Sequence, residues 1–295
     1  MSHTRANILL LFASFIWGTA FVSQAMGMDN IGPFTFSFSR TFLGFLIVLP
    51  IAIFYEKTLI IVLKNKQLLI ISVITGSVFF VGMNLQQYAL LKSQVANASF
   101  LTTLYVPIVA IISRFFFKSK IYWITWFAVL LCIYGSYLLT SNQSSEIKMY
   151  DTLLFLSGVF FAIHIILIDV FMKKFYSPFS FASIQYFIVV IFSFFIAILF
   201  ETPTISKIKL EWIEILYCGV LSTGISYTIQ IIAQSKANPA PAAIILSMEA
   251  VFAAIAGWII MGQTLDNFKI IGCICIFLGV ILVQIIPVYS KNKSI

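Results

Sequence analysis

Charge is scarce in this sequence. Only 9% of its 295 residues are Asp, Glu, Lys or Arg, whereas 61% are hydrophobic and 31 positions are Phe. A chain of this size cannot hide that much apolar surface in a water-soluble core, which excludes a soluble globular protein. Histidine occurs twice, and the four cysteines, Cys132, Cys218, Cys273 and Cys275, form no C-x-x-C pair and all fall in apolar runs. No metal-ligand spacing and no dithiol follow from this, so no metal or other cofactor is expected and the cysteines read as small membrane residues. Acids number ten, and no pair of them at helical spacing faces a common site, which argues against an enzyme such as an intramembrane transferase.

What the chain has instead is apolar length. Ten segments can span a bilayer: Ala6 to Met28, Pro33 to Tyr55, Leu68 to Leu91, Val95 to Phe117, Ile121 to Thr140, Leu153 to Met172, Phe179 to Phe200, Trp212 to Gln234, Pro239 to Met261 and Phe268 to Val288. Arg5 precedes the first as in a signal peptide, but the stretch is long and lacks a small-x-small cleavage site, so it is retained as a helix. A net charge of +8 would suggest nucleic acid in a soluble protein. Here it orients the chain. The links and termini on the N-terminal side carry twelve Lys or Arg, among them Arg5, Lys64, Lys66, Arg114, Lys118 and Lys174, against five on the other side, Lys92, Lys148, Lys207, Lys209 and Lys269. The positive-inside rule then predicts a multi-pass protein of the cell (inner) membrane with cytoplasmic N- and C-termini and no nucleic-acid partner. The sequon Asn142-Gln143-Ser144 falls on an outer link.

The chain also repeats itself. Ala96, Ala98, Ala110 and Gly135 recur as Ala240, Ala242, Ala254 and Gly279, and Gln86, Ala89 and Lys92 recur as Gln230, Ala233 and Lys236, always 144 residues later. Pro33-Phe34-Thr35-Phe36 returns as Pro178-Phe179-Ser180-Phe181 at an offset of 145. The halves divide near Ser144, giving residues 1–144 and 145–295. Five spans is an odd number, so the second half enters the membrane from the opposite side. The expected fold is an all-α polytopic membrane protein with ten transmembrane helices in two inverted five-helix repeats, an arrangement typical of secondary transporters with a midplane site.

Trp17-Gly18, Pro33 followed by Arg40, Ala96-Asn97-Ala98-Ser99, and Pro239-Ala240-Pro241-Ala242-Ala243 leading to Glu249 resemble the EamA-type permeases of the drug/metabolite transporter superfamily. The resemblance covers nearly the whole chain. It implies a ten-helix, two-repeat permease with cytoplasmic termini, often an exporter of amino acids or other small metabolites. Two positions depart from the family pattern: Ala250 stands where Pro is common, and Gly262-Gln263 where Gly-Glu is common. The first departure predicts a straighter ninth helix without a proline hinge.

Glu249 is the leading site candidate. It lies about 16 Å along a helix beginning near Asn238, close to the middle of a hydrocarbon layer ~30 Å thick, where a charge faces a protein interior or a wet cavity. It reads either as a lining acid that meets substrate or a coupling proton, or as a structural acid tying two helices. The repeat sets Tyr105 at the matching position, with Thr102 one turn earlier on the same face. Arg40, about 10 Å into the second helix, suits a carboxylate or phosphate or else snorkels. His164 reads as a proton relay or a satisfied core histidine. Asn84, Gln86 and Gln87 match a polar band of Ser226, Tyr227, Thr228 and Gln230, and either line a pathway or bond helix to helix. Trp17 reads as a ligand wall or as packing. Ala250, Ala253, Ala254 and Gly257 read as close helix packing, and Asp169 with Lys173 as a helix-end pair.

These features together predict a secondary-active transporter that moves a small metabolite by alternating access, most simply an exporter. An uptake permease or exchanger is the alternative, and a structural subunit would need neither a midplane acid nor matched polar bands. The implied partners are a small-molecule substrate and the lipid bilayer, with a coupling proton and a second copy of the chain left open. The charge count makes the topology testable: a reporter fused after Ile295 should be cytoplasmic, and a cysteine at Gln143 should react with an impermeant reagent from outside. Labelling of that cysteine only from the cytoplasm overturns the orientation.

Overall fold

The computed structural model describes residues 1–115, 122–140, 149–264 and 266–291, and among these the side chains of 139–140 and 283–291 are not described. Lys118, Lys120, the sequon and the division near Ser144 lie outside the described residues. Eight helices are long and apolar enough to cross a membrane: α1 (His3–Met26), α2 (Pro33–Glu56), α3 (Lys66–Ala89), α4 (Val95–Phe115), α6 (Met149–Lys174), α7 (Pro178–Phe200), α8 (Trp212–Gln234) and α9 (Pro239–Met261). Two further apolar helices, α5 (Trp123–Thr140) and α10 (Asn267–Lys291), complete two sets of five. The ends differ from the expected ones by a few residues. The sixth helix starts at Met149 rather than Leu153 because Tyr150, Asp151 and Thr152 extend its first turn.

Local chemistry accounts for the starts and stops. Asn65 caps α3 by accepting from the Gln67 and Leu68 N–H groups at 3.1 and 3.2 Å. Proline opens α2, α7 and α9, where its missing N–H is no loss. Gly262, at φ 65°, stops α9 in the left-handed region, with the Gln263 N–H turned back to the Gly257 carbonyl at 3.1 Å. Pro50 lies inside α2, and the following turn, Ile51–Glu56, widens into a π-helix.

The two repeats pack by the same rules. Across the repeat boundary α1 of the first set lies on α9 and α8 of the second, its counterpart α6 lies on α4 and α3 of the first, α2 pairs with α7 and α5 with α10. Small residues allow the close crossings. A Cβ on Gly18 would come within 2.7 Å of the Glu249 carbonyl oxygen and 2.9 Å of the Ala253 nitrogen, and a Cβ on Gly158 within 2.8 Å of the Thr102 carbonyl oxygen. Ala250, Ala253, Ala254 and Gly257 are buried, as expected for a packing stripe.

The inversion is visible at the ends of α2 and α7. Glu56, at the C-terminal end of α2, accepts from the Phe179 and Ser180 N–H groups at 3.1 and 2.7 Å, at the N-terminal end of α7. Glu201, just past the C-terminal end of α7, accepts from the Phe34 and Thr35 N–H groups at 2.9 and 2.8 Å, at the N-terminal end of α2. The two helices therefore run antiparallel along their whole length, and the second repeat is the first turned over.

Helix α9 is not the straighter helix that Ala250 predicts. It is interrupted at Ser247 (ψ −13°), and α4 is interrupted at Leu104 (ψ −4°), one residue away in the repeat register. In α4, Pro107 cannot donate to the Thr103 carbonyl. In both helices a hydroxyl competes for the preceding turn: Thr103 donates to the Phe100 carbonyl at 2.8 Å and Ser247 to the Ile244 carbonyl at 2.7 Å. In α9 the interruption coincides with the Ser247 hydroxyl bond rather than with a proline.

Because Gly18 meets backbone rather than a movable side chain, Gly18→Ala should push α1 from α9 and cost roughly 1–3 kcal/mol. Thermal unfolding in detergent should show a clear drop in midpoint, and an unchanged midpoint would mean the crossing is looser than described.

Candidate functional site

Between the repeats lies a cavity with about 460 Å³ of atom-free space, its mouth included. It is lined by Trp17, Phe21 and Gln24 of α1, Arg40 of α2, Gln86 of α3, Thr102 and Tyr105 of α4, Phe161, His164 and Ile165 of α6, Ser222, Tyr227 and Gln230 of α8, and Leu246 and Glu249 of α9. Ten of these residues are five repeat-matched pairs, each separated by 144: Trp17 with Phe161, Phe21 with Ile165, Gln86 with Gln230, Thr102 with Leu246, and Tyr105 with Glu249. A cavity to which both halves contribute the same positions sits on the pseudo-twofold axis, the location at which inverted repeats build a binding site.

Nine of the ten residues picked from the sequence meet here. Asn84 does not. Its amide nitrogen donates to Ser193 at 3.0 Å and to the Phe80 carbonyl at 2.9 Å, so it ties α3 to α7 outside the cavity. Phe21, Gln24, Phe161, Ile165, Ser222 and Leu246 line the cavity without having been singled out. Phe161 and Leu246 are the repeat partners of Trp17 and Thr102, so applying the 144-residue register to every candidate would have found them, whereas Phe21 and Ile165 match only each other.

The walls are aromatic and held firmly. Trp17 donates from its indole to the Ser222 carbonyl at 3.3 Å and packs on Tyr227 at 4.4 Å between ring centres. Tyr227 in turn meets Phe79 edge-on at 4.5 Å. His164 stacks on Phe79 at 4.7 Å and bonds Gln185 Oε1 through Nε2 at 2.7 Å. Because the Gln185 amide nitrogen is committed to the Phe181 carbonyl, its oxygen faces the imidazole, and His164 Nε2 is the donor. Gln86 donates to Thr102 Oγ1 at 3.1 Å.

Other polar groups at the cavity have no protein partner. Arg40 is 1% exposed and the largest of the fully buried side chains, yet its Nε and Nη2 are unpartnered. The same holds for Gln24 Oε1, Gln230 Oε1 and the Tyr105 hydroxyl, which lies beside Glu249 without meeting hydrogen-bond geometry. Neither Arg40 nor Glu249 forms an ion pair with another described residue. Buried donors and acceptors left open in a low-dielectric interior are costly unless something fills them. Here free donors stand at Arg40, free acceptors at Gln24 and Gln230, and the Glu249 carboxylate beside the Tyr105 hydroxyl, around one aromatic-walled space. Among the described residues no group of His, Cys, Asp and Glu is placed to hold a metal ion.

An all-helical membrane protein whose two inverted five-helix repeats enclose a polar cavity belongs to the class of transporters. The chain matches the EamA-like transporter family twice, over residues 4–141 and 148–285, and it belongs to that family, part of the drug/metabolite transporter superfamily. An uncharacterized transporter of Archaeoglobus fulgidus is 26% identical over 95% of this chain and 86% of its own length. A protein of known crystal structure shares the fold, with a TM-score of 0.77 over 96% of this chain and 97% of that one, at 15% identity. The chain is thus a multi-pass membrane transporter rather than an enzyme.

The open donors of Arg40 define a test. A charge-assisted bond is worth ~1.5–3 kcal/mol, so losing the guanidinium fork in Arg40→Lys should weaken transport of a carboxylate-bearing substrate by about 10- to 100-fold at normal membrane abundance. Unchanged kinetics in that variant would return Arg40 to a structural role.

Proposed function

We propose that the protein exports a small metabolite, an amino acid or a closely related compound, from the cytoplasm by alternating access, with the axial cavity as its binding site. The observation that carries this reading is the pattern of open polar groups around one space: unpaired donors at Arg40, unpaired acceptors at Gln24 and Gln230, and the carboxylate of Glu249. A ligand with a carboxylate at one end and an ammonium at the other satisfies both sets, and the rings of Trp17, Tyr227 and Phe161 cover its carbon skeleton. Residues Thr102, Tyr105, Gln86 and His164 complete the lining. Export, rather than uptake or exchange, follows the family resemblance, and cytoplasmic termini in the inner membrane follow the charge count. Glu249 serves as ligand for the ammonium group or as the carrier of a coupling proton, since it is buried, unpaired and next to a phenol.

Purified protein in liposomes, given a panel of amino acids, amines and nucleoside metabolites in both directions, should accelerate flux of an amino acid or a near relative. Flux of none of these sinks the substrate assignment. Glu249→Gln preserves shape and hydrogen-bonding capacity, so the folded yield should stay near normal while proton-driven transport falls about tenfold or more. Glu249→Leu should likewise fold better than it transports. A Gln variant that is fully active and indifferent to pH between about 5 and 8 removes the coupling role from Glu249.

A further inference from the structure

The cavity and its lining leave unused the two carboxylate clasps that join α2 to α7. Glu201 accepts three hydrogen bonds, and Glu56 accepts three of the same kind and two more on the other face. On one face they come from Phe34 N–H, Thr35 N–H at 2.8 Å and Thr35 Oγ1 at 2.5 Å. On the other they come from Phe179 N–H, Ser180 N–H at 2.7 Å, Ser180 Oγ at 2.5 Å and Ser177 Oγ at 2.9 Å. The two extra donors on the Glu56 side are the hydroxyls of Ser177, at 2.9 Å, and Thr58, at 3.0 Å. Glu56 and Glu201 are 145 residues apart, as are Thr35 and Ser180. A second matched pair reinforces each face. Asn30 donates to Glu211 at 2.7 Å from its side chain, and Lys174 donates to Gln67 at 2.6 Å, with both Asn30/Lys174 and Gln67/Glu211 separated by 144.

Both clasps are closed in the same conformation. Two gates are closed together only in an occluded state, whereas a frame stays closed at both faces throughout the cycle. The bonded groups also resist opening: the first N–H groups of a helix have no acceptor within the helix, and each carboxylate supplies one from the opposite helix. The interrupted helices are elsewhere. Tyr105 directly follows the interruption of α4 and Glu249 lies two residues past that of α9, whereas Arg40 is carried by α2 and Gln185, the partner of His164, by α7.

We propose that the antiparallel α2–α7 pair is a stationary frame, sealed at both faces by Glu56 and Glu201, and that the cavity alternates by movement of the segments of α4 and α9 that carry Tyr105 and Glu249. Arg40 then keeps one position through the cycle while Glu249 changes its surroundings. This rests on the alternating-access reading and adds which half of the site moves.

The test uses the full-length chain with its four cysteines replaced and a single reporter cysteine at Gln86 or at Gln230, the matched positions near opposite ends of the cavity. An impermeant maleimide is applied from either face of membrane vesicles. In the parent, each reporter should label from its own face. In Glu56→Gln and Glu201→Gln, the thermal midpoint should fall while the ratio of the two labelling rates stays within about twofold of the parent. The milder Ser180→Ala and Thr35→Val variants, which keep the carboxylates, should behave alike and serve if the Gln variants fold poorly. Gates would give another result: the ratio would move about tenfold or more, in opposite directions for the two faces, and the frame would be disproved. If the parent itself labels at only one reporter from one face, alternating access fails first and the frame falls with it.

Discussion

A bilayer offers its occupants no water, and every polar group inside it must find its partner in the protein. This requirement organises the whole chain. Helices satisfy the backbone between their ends, and the ends are where the chain has to supply something else. It does so with Asn65 at α3 and with prolines that have no N–H to satisfy. At α2 and α7 it supplies a carboxylate borrowed from the other helix. Four residues with groups left open, Gln24, Arg40, Tyr105 and Gln230, line one cavity, where a ligand can do what the protein does not.

The same constraint explains how symmetry and chemistry are combined. Packing follows the repeat: glycines and alanines recur where α1 crosses α9 and where α6 crosses α4. Chemistry departs from it. Where one half presents Tyr105 the other presents Glu249, and where α2 carries Arg40, α7 carries Gln185 bound to His164. The scaffold is close to twofold while the space it encloses is polar in one direction, so a ligand with unlike ends has one preferred orientation.

Much of this was legible before any coordinates. Apolar length and the odd number of spans per half gave the architecture, and a midplane acid in a run of small residues pointed to the cavity. The register of the repeat carried more than was taken from it: Phe161 and Leu246 were one addition of 144 away from residues already chosen. Other features were not available from pattern. Asn84 belongs to a matched polar band, but only the rotation of α3 decides that it faces Ser193 of α7. The interruption of α9 coincides with a serine hydroxyl that finds the Ile244 carbonyl, a contact that a search for proline cannot see. The role of Glu56 and Glu201 leaves no local pattern because the backbone donors they serve are more than 120 residues away in sequence.

The clasps carry one more implication. Each half contains both components of the joint: a carboxylate at the end of its second helix and a proline-led turn with free N–H groups at the start of it. Neither half closes its own turn; each closes the other's. A single half therefore encodes a surface complementary to an inverted copy of itself, and covalent linkage adds order and asymmetry rather than affinity. Once the two copies were on one chain, their residues were free to diverge position by position, which is how an acid comes to stand opposite a phenol.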